Sequence, residues 1–328
     1  MLTSQGRNAR SAERGRANGG TAARSREKMT THPESVALAR SLVADIVGGF
    51  GLPRTKLFCG LFWILFRIPM VRFATIGLTF DRLVAEDGFP KACQWALTNW
   101  CSHIAVRGTE NIPAEGPLLV VANHPGTYDA LIVFSQIGRR DIRWISTEIP
   151  FLDNLPHLRN HVIFTSKRNA LKRMLTMRTA IRHLQGGGAL LYIGAGFIEP
   201  DPAVYPGAAE HIEGWLTGID FFFHHVPGLR IMPAIVSGVI SPRWASSPLA
   251  WLRRKDVDKR RLVGFGQVIT QLFFPGRLMF TPSVSFGPPA TVETLRGESG
   301  RENILPAVIA RTKALLVEHV REFGGYSG

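Results

Sequence analysis

Acidic residues are scarce in this chain: 25 Asp and Glu stand against 39 Lys and Arg in 328 residues, a formal charge of +14. Cysteine is scarcer. Cys59, Cys93 and Cys101 are the only three, and no two form a C-x-x-C pair. That spacing excludes a disulfide framework and a cysteine-based zinc site, and it suits a reduced, cytosol-facing compartment. Also missing is an uninterrupted apolar run of the ~20 residues that a membrane-spanning helix needs. No signal peptide is expected, because the first apolar run starts only after residue 35. What the chain does have is 45% hydrophobic and 20% charged residues, enough to build a large core and to exclude wholesale disorder. Its length fits one large domain with appendages. The cationic excess points to an anionic partner: nucleic acid, an anionic membrane surface or a phosphorylated substrate.

Three regions follow from composition. Residues 1–30 are rich in Gly, Ser, Ala and Arg, with seven basic and two acidic residues. They bury too little apolar surface to fold and are expected to be a disordered basic tail. Residues 31–84 are apolar and basic together and are expected to be helical. Within them, Leu57–Phe66 (L-F-C-G-L-F-W-I-L-F) is about half a span, interrupted by Arg67, Pro69 and Arg72. It reads either as a buried core helix or as a membrane-interface segment with Trp63 and the phenylalanines inserted. In the second case Lys56, Arg67 and Arg72 would lie near headgroups. The aromatic density between cations favours the interface. A second basic stretch, W-L-R-R-K-D-V-D-K-R-R (251–261), reads as a solvated helix face or as a contact for anionic lipid.

Residues 85–328 carry alternating strand and helix signals. Strands are expected at 104–108, Leu118–Ala122, His161–Thr165, Ala189–Ile193, Ile231–Val236 and Ser283–Phe286. Helices are expected at Tyr128–Ile137, at Ala170–Gln185 with Leu171, Met174, Leu175, Ile181 and Leu184 on its apolar side, and at the C-terminal end. This alternation predicts an α/β fold, a mainly parallel or mixed central sheet wrapped by helices.

The sharpest local feature is A-N-H-P-G-T-Y-D (122–129), between a buried strand and a helix. Pro125 and Gly126 permit a sharp turn, and Thr127 is a candidate N-cap. If the turn folds back, Asp129 can accept a hydrogen bond from one ring nitrogen of His124. The other nitrogen is then free to act as a base. Alternatively the two are ordinary turn and cap residues. No G-x-S-x-G or other protein nucleophile accompanies them, so the pair suits activation of a substrate hydroxyl.

This segment resembles the glycerolipid acyltransferase family, the enzymes that acylate glycerol 3-phosphate and lysophosphatidic acid, whose signature is N-H-x4-D after a strand. The lead-in H-I-A-V-R-G-T-E-N-I-P-A-E-G-P-L-L-V-V (103–121) is similar to the family's. H-V-I-F-T-S-K-R (161–168) looks like its second block, with Lys167 in the place of a phosphate-binding Arg and Arg168 beside it. I-M-P-A-I (231–235) is similar to its fourth block, and S-F-G-P-P-A (285–290) fits the approach to the last helix. The likeness covers about residues 85–325, in order. The third block departs: where the family has F-P-E-G-T-R, this chain has G-A-G-F-I-E-P-D-P (194–202). Gly196 keeps the glycine, but Ala195 and Ile198 replace the Glu and Arg associated with acceptor binding. Glu199 either supplies the lost carboxylate or is part of a plain Glu-Pro turn. The glycines imitate a dinucleotide fingerprint, which Glu199 and the prolines at 200 and 202 rule out.

The resemblance implies a glycerol-3-phosphate acyltransferase-like fold with a membrane-associating N-terminal segment. It implies a catalytic domain over 85–328, with His124 as base, Asp129 as its orienter, and Asn123, Lys167, Arg168, Gly196 and Glu199 at the substrate. His124 would take a proton from an acceptor hydroxyl, and the oxygen would attack an acyl-CoA or acyl carrier protein thioester. Backbone N–H groups around 123–127 or near Gly196 would receive the thioester oxygen. No cofactor or metal is implied, and His224 and His225, being adjacent, face apart. The expected partners are an anionic phospholipid surface, reached from the cytoplasmic face, and a lysophospholipid or glycerolipid acceptor. The alternatives are a non-phosphorylated lipid alcohol as acceptor, or a lipid-binding homologue impaired in catalysis, as Ala195 and Ile198 suggest. Nucleic acid is not favoured, since no helix-turn-helix, finger or RNP pattern is present.

Overall fold

A computed structural model describes residues 33–49, 53, 55–166, 168–215, 218–300 and 302–327. The basic tail 1–30 and Lys167 lie outside the described residues. Eight strands form one mixed sheet: β1 (Ala105–Arg107), β2 (Leu118–Ala122), β3 (Arg143–Thr147), β4 (Val162–Thr165), β5 (Ala189–Ile193), β6 (Arg230–Ser237), β7 (Ser283–Phe286) and β8 (Ala290–Thr291). Their order is β1-β7-β6-β2-β5-β3-β4, with β8 paired to β6. From β6 to β4 all neighbours are parallel, while β7 and β8 run antiparallel to β6. β3 is an addition to the expected set: R-W-I-S-T is short, polar at alternate positions and only half-buried, so no apolar run marks it. Pro233, which cannot donate to a ladder, falls in the gap on β6 between its pairing with β8 (Arg230, Ile231) and with β7 (Ala234–Ser237).

Seven helices of nine residues or more flank the sheet among the described residues: α1 (Pro33–Gly49), α2 (Lys56–Asp87), α3 (Phe89–Leu97), α4 (Asp129–Ile137), α5 (Ala170–Gln185), α6 (Asp256–Phe273) and α7 (Leu305–Phe323). The period-2 alternation of β2 assigns its faces. Leu118, Val120 and Ala122 join the core under α1, α2, α3, α4 and α6, while Leu119 and Val121 join the core under α5 and α7. Both faces are therefore covered, which is why β2 is apolar at every position. On α5 only the C-terminal half is core. Thr176, Ala180, Ile181 and Leu184 are buried, whereas Leu171, Met174 and Leu175, expected on the apolar side, are exposed.

The aromatic run of 57–66 does not end at Arg67. α2 continues through Arg67, Pro69 and Arg72 for 32 residues and is long and apolar enough to cross a membrane by length and composition. A proline breaks a helix by removing one backbone donor, a loss that packing beyond it can offset. Here Met70, Ala74, Ile76, Phe80 and Val84 are buried on the core side. The N-terminal half instead carries an exposed apolar stripe, Leu57, Phe58, Leu61, Ile64, Leu65 and Ile68, at spacings that share one helix face. Two sequence expectations are corrected here. Trp63 is half-buried with the Arg40 guanidinium 5.2 Å above its ring. Arg72 does not reach outward but donates to the carbonyls of Leu272 (2.7 Å) and Phe273 (3.0 Å) at the end of α6. The last carbonyls of a helix have no intrahelical donor, so a cation there satisfies both hydrogen bonding and the helix dipole.

Candidate active site

The site lies at the C-terminal end of β2, between its parallel neighbours β5 and β6. Asn123, the first residue past the strand, is buried and fully engaged by β6. Its Oδ1 accepts from Val236 N (2.8 Å) and its Nδ2 donates to Val236 O (2.9 Å). Expected at the substrate, Asn123 instead extends the sheet and fixes where the chain leaves it. Pro125 and Gly126 then turn the backbone. A Cβ at Gly126 would lie 2.9 Å from Val239 Cγ2, so close approach of the loop after β6 requires the glycine.

The turn folds back as the spacing implies. Asp129 Oδ2 lies 2.7 Å from His124 Nδ1 and also accepts from Gly126 N at 3.1 Å, while Oδ1 accepts from Ala130 N at 2.6 Å. Asp129 opens α4, where the helix dipole favours its charge. Thr127 is exposed and is not the N-cap. Tyr128 takes that position without a side-chain cap, because the Asp129 carboxylate already serves the turn's N–H. The Asp129 side chain is buried, whereas that of His124 keeps 30% of its surface open. Burial depresses the basicity of the His124 ring. The charge and hydrogen bond of Asp129 outweigh it, with a smaller pull from Glu199, and the ring's pKa is raised above its ordinary value of 6.5.

Glu199 is the residue that the divergent third block brings to this place. It is buried, its N–H donates to His124 O (2.8 Å), and its Oε2 accepts from His124 N (2.8 Å). Its Oε1 accepts from Trp215 Nε1 at 2.9 Å. Burial pushes the Glu199 carboxyl up to about 7 against these hydrogen bonds. Glu199 is therefore more than a turn residue in structure: its carboxylate and N–H hold the backbone of His124. Gly194 makes room for the clamp, since a Cβ there would lie 2.1 Å from the Trp215 ring and push it from Glu199. Gly196 turns the loop with φ +68° and is exposed.

Arg168 is not brought to His124. It follows β4, the third strand from β2 and the edge of the sheet, so it starts about 14 Å to the side at ~4.8 Å per strand. Two of the expected oxyanion donors are also spent: His124 N on Glu199 and Gly126 N on Asp129.

Sequence reasoning missed three contributors. Trp215 carries no signal, being 16 residues from its partner. Asp201 is fully buried and accepts from the N–H groups of Ala203, Gly238, Val239 and Ile240, which fixes the loop after β6 against the turn. Its burial raises its pKa to about 6. The acid–proline alternation E-P-D-P was the available signal. Gln271 of α6 accepts from Tyr128 Oη at 2.7 Å and ties the turn to that helix. Among the described residues no cluster of His, Cys, Asp and Glu could hold a metal ion.

Comparison with known proteins bears on this geometry. Among solved structures, the chain is similar to the 1-acyl-sn-glycerophosphate (LPA) acyltransferase PlsC from Thermotoga maritima, at 18% identity and a TM-score of 0.39, over 87% of this chain and 96% of that one. No curated protein matches. The acyltransferase family model matches residues 103–196, the segment that contains the His124–Asp129 turn, β2 to β5 and the loop glycine Gly196. On this match residues 103–196 are similar to an acyltransferase domain.

Proposed function

We propose that the protein transfers a fatty acyl group from acyl-CoA or acyl carrier protein to a hydroxyl of a lysophospholipid or related glycerolipid, at a membrane surface. The observation that carries this is the 2.7 Å pairing of His124 Nδ1 with the buried carboxylate of Asp129, which leaves Nε2 as the proton acceptor of a partly open ring. In this reading Nε2 removes the proton of the acceptor hydroxyl as its oxygen attacks the thioester carbonyl carbon. The C–S bond breaks, and the thiolate takes the proton back from the imidazolium. The Asp129 charge stabilises that imidazolium, and such base catalysis is worth ~10²–10⁴ in rate. With His124 N and Gly126 N engaged, the loop around Gly196 is one candidate left to receive the thioester oxygen.

The exposed stripe on the first half of α2 supports a lipid surface as the workplace, as do the exposed Trp251 and Leu252 beside Arg253, Arg254 and Lys255. Glu199, set against His124 in the absence of the usual third-block pair, supports a working enzyme over an impaired homologue. The test is thiol release from palmitoyl-CoA with lysophosphatidate in mixed vesicles. Wild type should turn over, and His124→Ala should not while keeping its melting temperature. Turnover retained by His124→Ala would remove the proposed base.

A further inference from the structure

α6 is built onto the catalytic turn. Tyr128 Oη reaches Gln271, Gln267 holds the loop after β6 through Val239 O (2.8 Å) and Ser241 N (2.9 Å), and a Cβ placed on Gly264 would lie 3.6 Å from Thr127 Oγ1. Gly264 thus marks where the helix touches the turn that carries His124. Residues three and four earlier share that helix face, and here they are Arg261 and Arg260. Of the two, Arg260 is half-buried, whereas Arg261, like Arg253, Arg254 and Lys255, is exposed.

Arg260 is half-buried, and its Nε is shielded from solvent with no hydrogen-bond partner. A buried guanidinium N–H without an acceptor is uncommon, because the lost hydration is not replaced. Its surroundings are Glu199, Tyr205 and Asp256, all within electrostatic reach. Arg261 is half-exposed, 3.7 Å from Asp258, and its charge reaches the His124 ring. Two cations therefore stand at the rim of a site whose interior holds the carboxylates Asp129 and Glu199.

We propose that Arg260 and Arg261 form an anion site on α6 that takes a phosphate ester of the substrate beside His124. The proposal rests on the acyl-transfer reading of the site. A guanidinium pair suits this task because its planar forks grip phosphate oxygens in pairs. The phosphate can belong to the acceptor or to the CoA donor, and the two sources separate experimentally.

Initial rates of Arg260→Ala, Arg260→Lys and Arg261→Ala would be measured with lysophosphatidate and with monoacylglycerol as acceptors. The donors would be palmitoyl-CoA and palmitoyl-pantetheine, which lacks phosphate. The expected result is a fall of roughly 10- to 100-fold in kcat/KM for the phosphorylated partner relative to its phosphate-free counterpart, carried by KM. Arg260→Lys should recover part of it. A change confined to the acceptor ratio assigns the acceptor's phosphate, and a change confined to the donor ratio assigns that of CoA. Both ratios holding within twofold in all variants overturns the proposal. Arg261 is exposed enough that its substitution should leave the fold intact, so a failure of Arg260→Ala to fold does not close the test. Calorimetric titration of full-length protein with sn-glycerol 3-phosphate and with adenosine 3′,5′-bisphosphate reads the site without turnover. Wild type that binds one of them in an Arg261-dependent way but transfers no acyl group would sink the acyl-transfer reading and keep the anion site. Wild type that transfers acyl groups with neither ratio sensitive to Arg260 or Arg261 would sink the anion site alone.

Discussion

His124 and His319 are both held at 2.7 Å by polar side chains near the C-terminal end of β6, yet they are opposites chemically. His319, on α7, spends Nε2 on Ser237 and Nδ1 on Ser285 and has no surface open to solvent, while the nearby Glu318 and Glu322 pair with Arg107. Burial, with a further push from Arg107, takes its pKa down to about 4. His124 spends one nitrogen on a carboxylate, keeps the other, opens partly to solvent, and has its pKa raised. A serine–histidine contact of ideal length is therefore a knot between β6, β7 and α7, while the pair with no serine is the candidate catalyst. Access and a neighbouring negative charge separate the two, not hydrogen-bond distance.

Four experiments probe that contrast. The largest effect is expected from His124→Ala, which should remove acyl transfer to below ~1% of wild type, as loss of a general base worth 10²–10⁴ requires. Next, Asp129→Asn should lower kcat/KM by about 10³-fold, because an amide cannot stabilise the imidazolium. It should also shift the pH profile. The base works deprotonated, so the wild-type rate should rise with pH around an inflection above 6.5, and removing the Asp129 charge should move that inflection down. An unchanged inflection would break the link between the carboxylate and the ring. Third, Glu199→Gln should cost about 10- to 100-fold in activity. Both Glu199 oxygens accept, so the amide NH₂ must face an N–H of either His124 or Trp215. A stability loss of ~1–3 kcal/mol should accompany it in chemical denaturation.

The smallest effect on turnover is expected from His319→Gln, within about threefold of wild type per folded molecule. Its signature lies in stability. A folded-state pKa of about 4 against ~6.5 in the unfolded chain means that stability from neutral His319 is present above pH 6.5 and is lost as pH falls toward 4. That difference is about 3 kcal/mol. Urea titrations at pH 7.5 and pH 4.5 should show wild type losing more stability on acidification than His319→Gln. Glu199 and Asp201, whose pKa values are raised, act in the opposite sense, so the comparison between the two proteins isolates His319.

Much of the framework was legible in the sequence because its signals are local. β2 starts after Gly116-Pro117, β5 lies between Gly188 and Gly194, and α5 stops at Gly186, and the bounds expected for the three agree with the structure residue for residue. The His124–Asp129 pair was legible for the same reason: five residues, one turn, one hydrogen bond. What was not legible arrives from elsewhere in the chain. Trp215 reaches Glu199 across 16 residues, and Asp201 gathers N–H groups from residues 238–240. Arg72 misled for a related reason. A cation after an apolar run looks alike whether it meets a headgroup or the carbonyl end of another helix. Pro69 marked an apparent stop in α2, and only the packing of Met70 to Val84 keeps the helix going.

The grip of Arg72 on Leu272 and Phe273 gives the molecule a mechanical layout. α6 is 18 residues long, a rod of about 27 Å at 1.5 Å per residue. One end is fastened to α2, the helix with the outward apolar stripe, and its flank bears on the turn that holds His124. The exposed stripe and the His124 turn are in that sense joined through one helix, with Arg72 and the Phe66–Phe273 ring contact at one end and Tyr128 on its flank.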